Sequence, residues 1–172
     1  MAITDSRLAV LRHRHLDPGS AEGETTESTF ETPCDVAALQ AIEIYKIVVD
    51  TQGWTVAASF GTPKIEVSVS TKQGQSLPPK WSGPGTLFHG FQELYLIQAV
   101  TGAVGGGAEI RPAGMVMDYN PPLTVADKTL SFYTFTQAMN DIPGYKHVAV
   151  FYKLIKLNQA EYIAAMSIME GL

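Results

Sequence analysis

Few stretches of this chain bring together residue types that could do chemistry, and the first is His13-Arg14-His15. Histidines that alternate along a strand project from one side and can share a metal ion. Here the glutamate that follows, Glu22, stands too far on and in a turn, and the charge of Arg12 and Arg14 opposes a bound cation. The run therefore reads as a solvated or phosphate-facing basic patch. His89 and His147 each stand alone, as structural histidines do. No Gly-x-Ser-x-Gly elbow, P-loop or dinucleotide fingerprint occurs, and Gly105-Gly106-Gly107 opens no helix. Cys34 follows a proline in a polar segment with no base nearby and reads as an inert thiol. Glu43, Glu66 and Glu93 fall in predicted strands, where facing carboxylates could hydrolyse a glycoside. A sugar cleft needs aromatic platforms, and Trp54 and Trp81 are the only tryptophans. Trp81, in a Pro/Gly loop, could stack on a sugar; the plainer reading is an anchor on the core or on a neighbour. No enzyme, metal or cofactor is expected.

Composition agrees with a surface built for contact. The 172 residues fit one domain, 45% are apolar and only 17% are charged. The net charge of −5 argues against a general nucleic-acid binder. Arg7, Arg12 and Arg14 form a basic head; Asp17, Glu22, Glu24, Glu27, Glu31 and Asp35 follow without a Lys or Arg between them. One cysteine excludes an intrachain disulfide. No secretory leader is expected, and no run reaches the ~18 apolar residues of a membrane span.

The elements that would position these residues are almost all strands. Residues 41–50, 54–60, 64–72, 93–100, 115–120, 129–137 and 147–157 alternate or are rich in β-branched residues. On 41–50, Ile42, Ile44 and the Lys46 stem would share one face, with Glu43, Tyr45, Ile47 and Val49 on the other. On 64–72, Ile65, Val67 and Val69 would face the core while Glu66, Ser68 and Ser70 face water. The strand 147–157 is apolar on both sides and is expected to be central or covered. Pro78, Pro79 and Pro84 with three glycines make 73–85 a long loop. A short strand is expected near Glu109 to Arg111. Residues 6–16 read as a strand or a helical turn, between which periodicity does not decide. Residues 17–33 read as a loop or flexible arm with an edge strand expected at Thr25 to Thr32, and segment 1–34 as a whole as an N-terminal arm. Many short strands with turns between them predict an all-β fold, a single jelly-roll β-sandwich of about eight strands over 35–157.

The chain end changes rule. Asn158 and Glu161 have capping-box spacing, and Tyr162, Ile163, Met166 and Met169 recur at helical spacing. A short helix over 158–172 is expected, lying either on its own domain or on a neighbouring subunit.

The last third, MVMDYNPPLTVADKTLSFYTFTQAMNDIPGYKHVAVFYKLIKLNQAEYIAAMSIM, resembles the C-terminal part of small single jelly-roll capsid proteins. These form the shells of tailless icosahedral viruses of bacteria and archaea, often with an internal membrane. The likeness lies in the order of features: a PPL turn before a strand, a short break, and a long strand ending YKLIKL before the capped NQAEYI. It implies a structural virion protein, made in the host cytoplasm, that self-assembles into capsomers with copies of itself and possibly a second capsid protein. It implies no catalytic residues. Interface candidates are Arg7, Arg12, Arg14, Trp81, Tyr162, Ile163, Met166 and Met169, with the arginines available to lipid or nucleic-acid phosphate. The alternative is a carbohydrate- or receptor-binding β-sandwich using Trp81.

Overall fold

A computed structural model describes residues 8–17, 23–51, 54–55, 64–80, 83–93, 109–110, 114–137, 140–141 and 144–170. In chain order the elements are β1 (Ala9–Asp17), β2 (Thr25–Glu31), β3 (Gln40–Thr51), β4 (Trp54–Thr55), β5 (Lys64–Ser70), β6 (Thr86–Glu93), β7 (Glu109–Ile110), β8 (Met115–Val125), β9 (Thr129–Gln137), β10 (Asn140–Asp141), β11 (Gly144–Lys156) and α1 (Gln159–Glu170). Two antiparallel four-stranded sheets, ordered β1-β11-β3-β8 and β2-β9-β5-β6, hold the long strands; β10, β4 and β7 pair in a third, small sheet. The two large sheets face one another across a shared apolar core, a β-sandwich with one short C-terminal helix. Ile42, Ile44, Ile47, Val49, Val148 and Val150 come from one side, and Ile65, Val67, Val69, Phe88, Leu130 and Phe132 from the other.

The sheets are also tied by close approach. A side chain on Gly90 of β6 would run into Met115 Sδ at 2.6 Å, so the bare backbone lets β8 lie against it. The Tyr119 hydroxyl of β8 donates to the Leu87 carbonyl of β6.

Several expectations need correction. The single apolar face expected on β3 changes side partway: Ile42 and Ile44 point inward, and so do Ile47 and Val49. Against β11, Ile44 pairs with Tyr152 and Lys46 with Phe151, so Tyr45 is an extra residue there and reverses the alternation after it; against β8 the shift at the same point leaves residues 119–122 of β8 unpaired. The wet face expected on β5 is closed: Glu66 is 5% exposed, and Ser68 and Ser70 are 0%. β5 is an inner strand, between β9 and β6. Within segment 1–34, residues 9–17 are no loose arm but form β1, paired with β11 from Ala9 to Asp17. The edge strand expected at Thr25 to Thr32 is there as β2, paired with β9 from Thr25 to Glu31.

β8 continues past Pro121 and Pro122, where a turn was expected, but residues 119–122 leave the ladder: Asp118 pairs with Lys46 and Leu123 with Ile44. The prolines fall in that unpaired stretch of an edge strand, so their missing amide donors cost no ladder bond. β6 was not foreseen as a strand, because His89 and Gly90 interrupt its apolar run. The strands expected at 56–60 and 94–100 lie outside the described residues.

β11 is central in its sheet, as its two-sided apolar pattern requires. The helix forms with the cap its sequence promised. The Glu161 amide donates to Asn158 Oδ1 at 3.0 Å, and the Asn158 amide donates to Glu161 Oε2 at 2.9 Å. No described helix is long and apolar enough to cross a membrane.

Candidate functional site

The strand β1 divides the first candidate cluster between two environments. Successive side chains of a strand point to opposite faces. Arg12 and Arg14 are therefore exposed on the outer face, while His13 and His15 turn half-buried toward the other sheet. His13 Nε2 lies 2.7 Å from Ser28 Oγ of β2, and its ring stacks on Phe30 with centroids 4.6 Å apart. Burial, then the neighbouring His15, lower the His13 pKa from its ordinary 6.5 and favour the neutral ring. The expected basic patch thus keeps its arginines and loses its histidines, which join the two sheets at their β1–β2 rim. Among the described residues no group of three or more His, Cys, Asp or Glu is placed to hold a metal ion.

Outside Arg12 and Arg14 lies an open sheet face. Register aligns its side chains in rows across β1, β11, β3 and β8. One row is Val10, Phe151, Lys46 and Asp118; the next is Arg12, Ala149, Val48 and Val116; the third is Arg14, His147 and Asp50. Val116 is 53% exposed and Val10 38%. The Arg14 guanidinium sits 3.4 Å from the centroid of the Tyr145 ring, a cation–π contact that holds it against the sheet. At the opposite side, Lys46 pairs with Asp118 at 3.4 Å. Arg12 and Arg14 thus line the β1 edge, Asp118 lies at the β8 edge paired with Lys46, Asp50 stands one strand inward on β3, and Ala149, Val48 and Phe151 form the ground between.

The outer face of the second sheet is covered over its β9 and β5 strands, while Phe91 at the β6 edge is 59% exposed. Its central row runs Glu27, Tyr133, Ser68, His89 across β2, β9, β5 and β6. Glu27 Oε1 accepts from Ser131 Oγ at 2.7 Å and from the Tyr133 hydroxyl at 2.9 Å. The Gly74 amide donates to the same carboxylate at 3.0 and 3.2 Å, its backbone in the left-handed region with φ 66°. The Thr25 hydroxyl donates to the Ser76 carbonyl at 2.8 Å, so the loop after β5 is pinned over the sheet. Burial pushes the Tyr133 hydroxyl up to about 12, with Glu27 adding to the shift. Beside this row, Glu66 meets His89 Nε2 at 2.7 Å and Lys64 Nζ at 3.4 Å. Burial alone would raise the Glu66 pKa, but the His89 hydrogen bond and the Lys64 charge outweigh it and the net shift is downward. Glu43 lies in the other sheet and accepts from Tyr45.

The helix presents two apolar columns rather than one. Tyr162 and Ala165 are buried at 4% and 7% against Ala41 and Ala126, and the Tyr162 hydroxyl donates to the Ala126 carbonyl at 3.2 Å. Ile163 and Met166, three residues apart, point away at 57% and 38% exposed. At 100° per residue they form a neighbouring column, and the domain covers only the first. Tyr162 therefore leaves the set of interface candidates, its ring committed to its own domain. Arg12, Arg14, Ile163 and Met166 remain on the surface. Arg7 and Trp81 lie outside the described residues, as does the Met169 side chain. The outer-face residues Phe151, Ala149, Val48, Val116 and Asp50 were missed as candidates. The two-sided apolar pattern of 147–157 pointed to them, but it was read as cover by other parts of the chain.

No protein-family model matches the chain, and no curated protein matches it.

Proposed function

We propose that this chain is a jelly-roll capsid subunit, a structural virion protein that self-assembles into oligomeric capsomers. The observation that carries the reading is the strand order. If the eight long strands among the described residues are counted in sequence, one sheet takes the first, eighth, third and sixth, and the other the second, seventh, fourth and fifth. Those are the pairs 1–8, 3–6, 2–7 and 4–5, as when a ribbon of antiparallel pairs is wound so that alternate pairs fall in opposite sheets. That order supports the jelly-roll reading, whose winding is a double Greek key.

A fold does not dictate a function, and two surface features favour assembly. Ile163 and Met166 leave an apolar column of α1 uncovered. The sheet face around Val116 offers apolar ground flanked by separated charges. The proposed partners are other copies of the chain, with a second capsid protein as a further candidate, in the shell of a virion whose subunits are made in the host cytoplasm. Arg12 and Arg14 remain available to anionic lipid or nucleic acid.

Sedimentation velocity of the purified protein over a concentration series, with electron micrographs of the most concentrated samples, tests the proposal. Discrete oligomers that grow with concentration are expected, and Ile163→Glu with Met166→Glu should shift them toward smaller species. A monomer at every concentration, or turnover of a small molecule, would overturn it.

A further inference from the structure

We infer that the outer face of the β1-β11-β3-β8 sheet binds the same face of a second copy, about a two-fold axis running parallel to the strands. This deepens the assembly reading and rests on it. An axis along the strands, between two facing sheets, lays β1 of one copy over β8 of the other and β11 over β3. Three features of the face then meet their complements. Arg14 at the β1 edge shares a row with the partner's Asp50 and lies one strand from it, and Arg12 lies one row from the partner's Asp118, the carboxylate that pairs with Lys46 within its own copy. His147 of β11 comes over the partner's Asp50, because the two occupy one row. Ala149 comes over the partner's Val48 for the same reason, and the apolar ground meets itself. Each contact occurs twice, as a two-fold interface requires. An axis across the strands would instead lay β1 on β1 and set arginines beside arginines.

The face is small. Strands ~4.8 Å apart and three rows ~6.8 Å apart span on the order of 400 Å² per copy, about half of what each side of a standard interface contributes. On its own it makes a weak dimer. Within an assembly that holds many copies, each such contact becomes intramolecular, and weak contacts then suffice.

The test uses the full chain and reverses the charges one edge at a time. One protein carries Arg12→Glu and Arg14→Glu, the other Asp50→Lys and Asp118→Lys; Arg12, Arg14, Asp50 and Asp118 are all exposed, so neither set should disturb the core. Each reversed protein alone opposes like charges and should associate about tenfold or more weakly than the parent in sedimentation equilibrium. An equimolar mixture puts the acidic edge of one on the basic edge of the other and should recover the parent's association. If both reversed proteins associate as the parent does, or if the mixture recovers nothing, this face is not the contact, while the wider assembly reading survives on the parent's own oligomers. If the parent itself stays monomeric, the assembly reading fails first. If the arginine pair serves an anionic surface instead, its reversal abolishes binding to phosphatidylserine vesicles and leaves self-association unchanged, which overturns the inference.

Discussion

On the outward side of β5, Glu66, Ser68 and Ser70 are 5%, 0% and 0% exposed. On the outward side of β3, Lys46 and Val48 are half-buried and Asp50 is exposed. Both are inner strands of four-stranded sheets, and both alternate. The difference lies in what the chain lays over them. The loop after β5 folds back on its own sheet and is pinned there through Gly74 and Ser76. A covered face must satisfy its polar groups internally, because an unmade buried hydrogen bond costs more than a made one gains. Hence the linked partners Glu27, Tyr133, Ser131, Glu66 and His89, although Ser68 Oγ in the same row is buried without one. The face outside β3 meets no such demand and mixes apolar ground with exposed charge, part of it in the Lys46–Asp118 pair. The molecule covers the middle of one sheet with its own loop and leaves the other uncovered.

The largest break in that comparison comes from truncating one side chain on each face. Glu66→Ala removes a buried carboxylate from His89 and Lys64 and should cost roughly 2–4 kcal/mol in urea denaturation. Val116→Ala on the open face should stay within about 0.5 kcal/mol, as surface changes do. The acid limb adds a second reading. The Glu66 pKa lies below the ordinary carboxylate value of 4.5, so its stabilisation is present above that value and is lost as the pH falls through the folded one. The variant should therefore lose less stability on acidification than the parent. Equal costs at Glu66 and Val116 would mean that the two faces do not differ in the way described.

A smaller effect is expected at the latch. Glu27→Ala removes the acceptor shared by Ser131, Tyr133 and the Gly74 amide. It should cost roughly 1–3 kcal/mol and speed hydrogen exchange at Gly74 and proteolysis within residues 71–80. Glu27→Gln keeps one oxygen acceptor and should fall between. Unchanged exchange at Gly74 would show that the loop is held by other means.

Local rules were legible in the sequence where one short segment decides the outcome. The capping box of Asn158 and Glu161 formed as read, and so did the β-character of 41–50, 64–70 and 129–137. What could not be read depends on partners far along the chain. The extra residue at Tyr45 shows only in the register against β11, and it decided which of the Ile42 to Val49 side chains enter the core. The wet face expected for Glu66 and Ser68 followed correctly from their chemistry. The loop that covers that sheet follows β5 in sequence, yet nothing in its composition says which way it folds. Histidines and arginines that adjoin in sequence were read as one patch. The two-residue strand period separates them, and that assignment becomes available once β1 is known to be a strand and not an arm.

The subtlest expected effect sits at that separation, on the rim where β1 and β2 join the two sheets. His13 is held toward the neutral form first by burial and then by His15, and it bonds Ser28 and stacks on Phe30. In the unfolded chain the same ring takes up a proton as the pH falls through about 6.5. Between the lowered folded value and 6.5 the unfolded state binds more protons, so stability must rise with pH across that window and fall on acidification. Above 6.5 the ring contributes no pH dependence, and below the folded value the loss stops growing. His13→Asn should flatten this slope in urea titrations between pH 7.5 and pH 5, so that the parent's advantage over the variant shrinks as the solution is acidified. Parallel curves would assign the titration to another group. A shrinking gap would locate it between the sheets, on the side of β1 opposite the arginines that face outward.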